Sequence, residues 1–229
     1  MGQLIEPLIL YIILFLPGAM SHGPPPELVV FSLNGEIRRI LIFNIPSLAL
    51  IWYLLLRPEA CRRDCKFRAF GPQSLSGRPR ERALPPFRRQ DLYAILCALP
   101  GLLLIGFCIS LVSSRFFEIP AGMSLEAPPD SIGWIVMILS CVSTGYLEES
   151  YFRYYLLEKL EAFGLSPLMA IIMGVLLFSF CHIYEGPWGA LNAFLAGVLL
   201  SLIFVRFRSL HGIALAHGLY NIFVYAAGV

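Results

Sequence analysis

Charge is scarce in this chain of 229 residues. Asp, Glu, Lys and Arg make up 14% of it, against 58% hydrophobic residues. A soluble globular chain carries about 25% charged residues. The mean hydropathy is +0.74. The charges are clustered, and the stretches between them run about 17–23 residues, enough for a helix to cross a ~30 Å hydrocarbon core. Short segments of alternating polarity are absent, which argues against a membrane β-barrel. Helices remain, because they satisfy every backbone N–H and C=O within the segment. The expected fold is therefore all-α: a polytopic transmembrane bundle of about seven spans, multi-pass in the cell membrane.

Other absences narrow the reading further. No Lys or Arg precedes the first apolar run, where only Glu6 is charged. A cleaved signal peptide would carry a basic n-region there, so the run reads as a retained helix. Internal repeats and low-complexity tracts are lacking. Of six cysteines, Cys97, Cys108, Cys141 and Cys181 fall in apolar segments, where a thiol behaves as a small hydrophobe. Cys61 and Cys65 form one C-x-x-x-C pair, with no second pair to complete a zinc site. They lie in a loop expected in the cytosol, where disulfides are rare.

The apolar runs cover residues 4–19, 40–56, 92–114, 131–163, 167–183, 189–205 and 210–227. Pro46 predicts a kink in the second. Asp130 and Ser131 are good N-caps for the fourth, Gly164 suits its C-cap, and Ser166-Pro167 suits the start of the fifth. The chain divides into two regions. Residues 1–130 hold membrane helices and a basic loop at 57–90; residues 131–229 form the candidate catalytic core. Ten of the seventeen basic residues lie between Arg57 and Arg89. The positive-inside rule makes that loop cytoplasmic, lying against anionic headgroups rather than nucleic acid. Arg206 and Arg208 then fall on the same side, the N-terminus inside and the C-terminus outside.

Chemistry is expected where polar residues interrupt these spans. The fourth holds Glu148, Glu149 and Arg153, the fifth ends in Phe178 through His182, and the seventh holds His217 and Asn221. A charged group at membrane depth costs at least ~2.5 kcal/mol on insertion scales. Such groups persist where they pair, conduct or catalyse. Counting places them together: the Glu pair lies about fifteen residues before the Gly164 turn and His182 about sixteen after Ser166, both roughly 24 Å along the helices. Glu149 and Arg153 are spaced i,i+4 and can form an ion pair. Glu148 points about 100° away. His217 and Asn221 share one helix face.

A carboxylate beside a histidine can activate water, and a second histidine with an amide can donate to a developing oxyanion. Those parts suffice for amide hydrolysis. The zinc alternative would use Glu148, His182 and His217 as ligands. No H-E-x-x-H pattern is present, and the metal-free reading is preferred. Structural readings stand beside these. Glu149–Arg153 also serves as a lock, and His217 and Asn221 as interhelical hydrogen-bond glue. His211 reads as interfacial, Glu185 as a solvated loop residue, and the surrounding aromatics as packing.

Glu148-Glu149-x-x-x-Arg153, Phe178-x-x-x-His182 and His217-x-x-x-Asn221 resemble the three motifs of the CAAX protease and bacteriocin-processing family. That family includes the Ras-converting enzyme and many bacterial Abi proteins. The resemblance covers residues 132–225 and implies an intramembrane endopeptidase of the glutamic type. It would cut near the C-terminus of a membrane-anchored or exported substrate. By motif match, Glu148 and His182 would activate water, His217 and Asn221 would form the oxyanion site, and Glu149, Arg153 and Phe178 would support them. Tyr154 departs from the family, many of whose members have Gly after the Arg. The competing classes are a non-catalytic immunity or scaffold protein and an ion or proton transporter. Against transport, the polar residues cluster instead of forming a chain across the bilayer.

Overall fold

A computed structural model describes residues 2–20, 28–56, 86–116 and 124–228. The Pro24–Pro26 break and residues 57–85, with Cys61 and Cys65, lie outside the described residues. The described part is helical apart from one two-residue parallel bridge, β1 (Leu28–Val29) on β2 (Ser124–Leu125). Seven apolar helices form: α1 (Gly2–Leu14), α2 (Leu33–Leu56), α3 (Arg89–Phe116), α4 (Ser131–Phe163), α5 (Pro167–Phe180), α6 (Gly186–Phe207) and α7 (Leu210–Ala227). Of these, α2, α3, α4 and α6 are long and apolar enough to cross a membrane. Helices α1 and α5 are shorter, so about seven full-length spans is more than the helix lengths establish.

Local chemistry explains the boundaries. The Asp130 carboxylate accepts from the Gly133 N–H at 2.7 Å and starts α4. Gly164, at φ 113°, ends it in the left-handed conformation that favours glycine. Ser166 caps α5 and Pro167 occupies its first turn. The fifth apolar run stops short of its expected end. Helix α5 finishes at Phe180, because Cys181 and His182 turn into a 3-10 segment, Ile183–Glu185. At 1.5 Å per residue that leaves α5 only about 21 Å long.

Two helices change pitch inside the bundle. Arg39–Asn44 of α2 and Ser150–Leu156 of α4 are π-helical. In α2 the widened turns run up to Pro46, which has no N–H to donate back along the ladder. In α4 they begin directly after Glu149. The π segment of α4 is also where α1 docks: the Tyr151 hydroxyl donates to the Pro7 carbonyl at 2.7 Å and Tyr155 donates to Glu6 at 2.5 Å. Phe15, Tyr151, Phe152 and Phe178 stack around this junction.

Helix α7 lies against α4 with no room for side chains at two points. A Cβ on Gly145 would sit 2.5 Å from the Ala214 carbonyl oxygen, and one on Gly218 would sit 3.0 Å from Val142 Cα. Small residues let helices in a membrane approach this closely. At the foot of α7, Ser209 caps the helix by accepting from Gly212 N–H at 2.8 Å while donating to the buried Asp91 of α3. The outer faces carry large apolar side chains such as Ile42, Phe107 and Leu168, as a lipid-facing surface requires.

Candidate active site

The close approach of α4 and α7 brings His217 between both carboxylates of the Glu pair. His217 Nδ1 is 2.9 Å from Glu149 Oε1, and Nε2 is 3.8 Å from Glu148 Oε2. Glu149 Oε2 in turn lies 3.2 Å from Arg153 Nε. The i,i+4 ion pair expected from spacing is therefore present, but Glu149 has a second partner. Glu148, expected to act with His182, has His217 as a neighbour at 3.8 Å. The π turn after Glu149 and the glycine contacts at Gly145 and Gly218 produce this arrangement, and residue spacing alone encodes neither.

Exposure separates the two carboxylates. The Glu149 side chain is 0% exposed and Glu148 15%. Glu149 is sealed in, while Glu148 retains access to solvent or substrate. Glu148 Oε2 has no hydrogen-bond partner among the described residues, and 3.8 Å is too long for a hydrogen bond to His217. Arg153 is buried as well; its Nη2 donates to the Gly197 carbonyl of α6 at 3.4 Å, and its guanidinium lies 4.5 Å from the centre of the Phe178 ring.

Phe178 organises the histidines. Its ring centre is 4.7 Å from that of His182 and 6.0 Å from that of His217. Its carbonyl, one of the acceptors left over at the end of α5, lies 2.7 Å from His182 Nδ1. An Nδ1–H donated there leaves Nε2 of His182 as the free, basic nitrogen. Glu148 and Glu185 both lie within electrostatic reach of His182. Asn221 is half-buried on α7, one turn beyond His217.

Several residues near the site were not singled out by sequence. Glu185, read from the sequence as a solvated loop residue, is half-buried, and the ring of the adjacent Tyr184 stacks on that of His182 with centroids 6.3 Å apart. The Asn192 amide of α6 donates to the Tyr220 hydroxyl at 3.1 Å, beside His217 and Asn221 in sequence. His211 accepts a different partner, Tyr146, at 2.9 Å and stays apart from the cluster. Asn44 of α2, fully buried, donates to Ser143 and Thr144 just before the Glu pair. An asparagine inside an apolar run was the available signal. Among the described residues, no group of three or more His, Cys, Asp or Glu side chains is placed to hold a metal ion.

No curated protein and no solved structure matches the chain. Residues 130–223 match the family model described as Type II CAAX prenyl endopeptidase Rce1-like, the family that the three motifs resemble.

Proposed function

We infer that this chain is an intramembrane endopeptidase that hydrolyses a peptide bond near the C-terminus of a membrane-anchored or exported substrate. The observation that carries the reading is the bracketing of His217 by Glu149 and Glu148. Arg153 pairs with Glu149, which leaves the charge of Glu148 to be offset by a proton on the neighbouring His217. Placed on His217, it makes Nε2–H a donor and leaves Glu148 ionised. That single assignment equips the site with a base and an oxyanion donor at once.

The reaction follows from these roles. Glu148 and His182 Nε2 take a proton from water as its oxygen attacks the scissile carbonyl carbon. The oxyanion forms against His217 Nε2–H and the Asn221 amide. Collapse breaks the C–N bond, and the proton held by Glu148 or His182 passes to the departing amine. Glu149, fixed by Arg153, keeps His217 in orientation as a buried carboxylate does for a catalytic imidazole. No metal is required by any step, and turnover is expected to be unchanged by chelators.

The test compares Glu148→Gln and His182→Ala with the natural protein in native cells, by mass spectrometry of membrane-protein C-termini. Each variant should insert normally and lose about 10²–10⁴-fold in turnover, leaving a substrate with its C-terminal segment uncut. Normal processing by both variants would refute the proposal. Loss of protein from the membrane, without loss of turnover per molecule, would favour a structural role.

A further inference from the structure

Helix α1 lies outside the residues that match the family model, yet it reaches the site. Tyr11 of α1 is buried, and its hydroxyl donates to the Leu177 carbonyl of α5 at 2.8 Å. Leu177 immediately precedes Phe178, whose carbonyl holds His182 Nδ1 at 2.7 Å. A second route runs through rings. Tyr11 meets Phe152 edge-on with centroids 6.4 Å apart, Phe152 meets Phe178 at 5.1 Å, and Phe178 lies 4.7 Å from His182.

The backbone at the end of α5 gives the hydroxyl its role. The last carbonyls of a helix lack N–H donors further along the helix and take what partners they find. Leu177 accepts from Cys181 N–H at 3.2 Å while also taking the Tyr11 hydroxyl. A carbonyl tilted outward to a second donor lengthens its helical bond. One residue on, the α pattern stops: His182 N–H turns to the Ser179 carbonyl at 3.1 Å. That leaves the Phe178 carbonyl to side chains, and the His182 ring takes it at 2.7 Å with the Cys181 thiol at 3.1 Å. Were this turn to relax to α geometry, the His182 N–H would return to Phe178 and compete with the imidazole of the same residue. Two donors of one residue share one acceptor, so a small bias at Leu177 decides where the ring sits.

We propose that Tyr11 is a positioning residue, whose hydroxyl holds the last turn of α5 so that the Phe178 carbonyl is kept for the His182 ring. This makes α1 a working part of the site. What His182 does chemically rests on the endopeptidase reading above; how its ring is held does not. Tyr11 itself touches no reacting atom. The dock of α1 has other ties, Tyr151 to Pro7 at 2.7 Å and Tyr155 to Glu6 at 2.5 Å, so the helix stays in place when the Tyr11 hydroxyl is lost.

The experiment removes one oxygen. Tyr11→Phe keeps the ring contacts with Phe15 and Phe152 and loses the bond to Leu177. Tyr155→Phe loses a bond of the same kind between α1 and α4, away from α5, and serves as the control. Each full-length protein is purified in detergent with isotope-labelled histidine, four residues per chain. His182→Ala identifies the magnetic-resonance signal of residue 182, and hydrogen exchange of its ring Nδ1–H reads how firmly it is held. Tyr11→Phe should speed that exchange about three- to tenfold, the worth of one net hydrogen bond, and Tyr155→Phe should leave it unchanged. In native cells, processing per molecule of inserted protein, read from uncut membrane-protein C-termini, should fall by a similar factor in Tyr11→Phe alone. Unchanged exchange in Tyr11→Phe would overturn the proposal. Equal changes in the two variants would also overturn it, since α1 would then act only by docking. So would faster exchange with unaltered processing where His182→Ala is inactive. Faster exchange in Tyr11→Phe together with normal processing by His182→Ala would sink the hydrolytic role of His182 and leave the positioning intact.

Discussion

Two carboxylate–arginine pairs in this molecule lie beside π-helical turns, and they are built to different ends. In α4, Glu149 and Arg153 are 0% and 2% exposed, and Glu149 also holds His217. In α2, Glu36 and Arg39 are 9% and 47% exposed and stand 3.5 Å apart. The chemistry of the partners is the same, and the surroundings decide what each pair does. A sealed pair cannot exchange a partner for water, so it fixes geometry. An open pair can.

The comparison predicts its own largest effect. Arg153→Met leaves Glu149 buried with one partner too few, which costs about 3–5 kcal/mol for a buried ion pair. Arg39→Gln removes a half-exposed partner and costs about 1 kcal/mol or less. Unfolding midpoints of both variants in the same detergent give the contrast directly. Equal shifts would mean that burial does not separate the two pairs. The double variant Glu149→Gln with Arg153→Met should recover part of the lost stability, since no lone charge then remains buried.

A good part of this arrangement is legible in the sequence. The caps at Asp130, Gly164, Ser166 and Ser209 are local signals, and each helix starts or stops where its cap stands. Counting residues from the Gly164 turn sets the Glu pair and His182 at one expected level, on a constant α-helical rise. The direction of a side chain is harder to count. A π turn adds a residue to the cycle, so rotation of 100° per residue fails from Ser150 onward. The partner of Glu148 depends on how closely α7 approaches, which Gly145 and Gly218 decide from opposite sides of a contact between residues far apart in the chain. Tyr11 is illegible for a different reason. Its meaning comes from Leu177, and no spacing rule connects α1 with α5.

The next effect in size tests whether the closeness of α4 and α7 keeps the buried pair buried. Gly145→Ala adds a methyl that would meet the Ala214 carbonyl oxygen at 2.5 Å. Overpacking of this kind costs about 1–3 kcal/mol. The helices must part, and the His217–Glu149 contact lengthens with them. Turnover should fall with it, because the imidazole loses its fixed orientation. Gly174→Ala on α5, whose added methyl would meet nothing closer than Leu157 Cδ2 at 3.4 Å, serves as a control away from the α4–α7 contact. A drop in turnover confined to that control would place the critical contact elsewhere.

The smallest effect is the sharpest test of the open pair. Glu36→Gln retains an oxygen to accept from Ser140 Oγ, so the tie between α2 and α4 survives and stability should change by about 1 kcal/mol or less. What is lost is the charge 3.5 Å from Arg39, and a guanidinium that is 47% exposed can be solvated in its place. Turnover should therefore stay close to that of the natural protein. The same substitution in the sealed pair, Glu149→Gln, should abolish turnover by releasing His217, because nothing replaces the buried carboxylate that holds the imidazole. Turnover of the two variants measured in one preparation reads the contrast, and an equal loss in both would mean that the open pair serves the site as much as the sealed one.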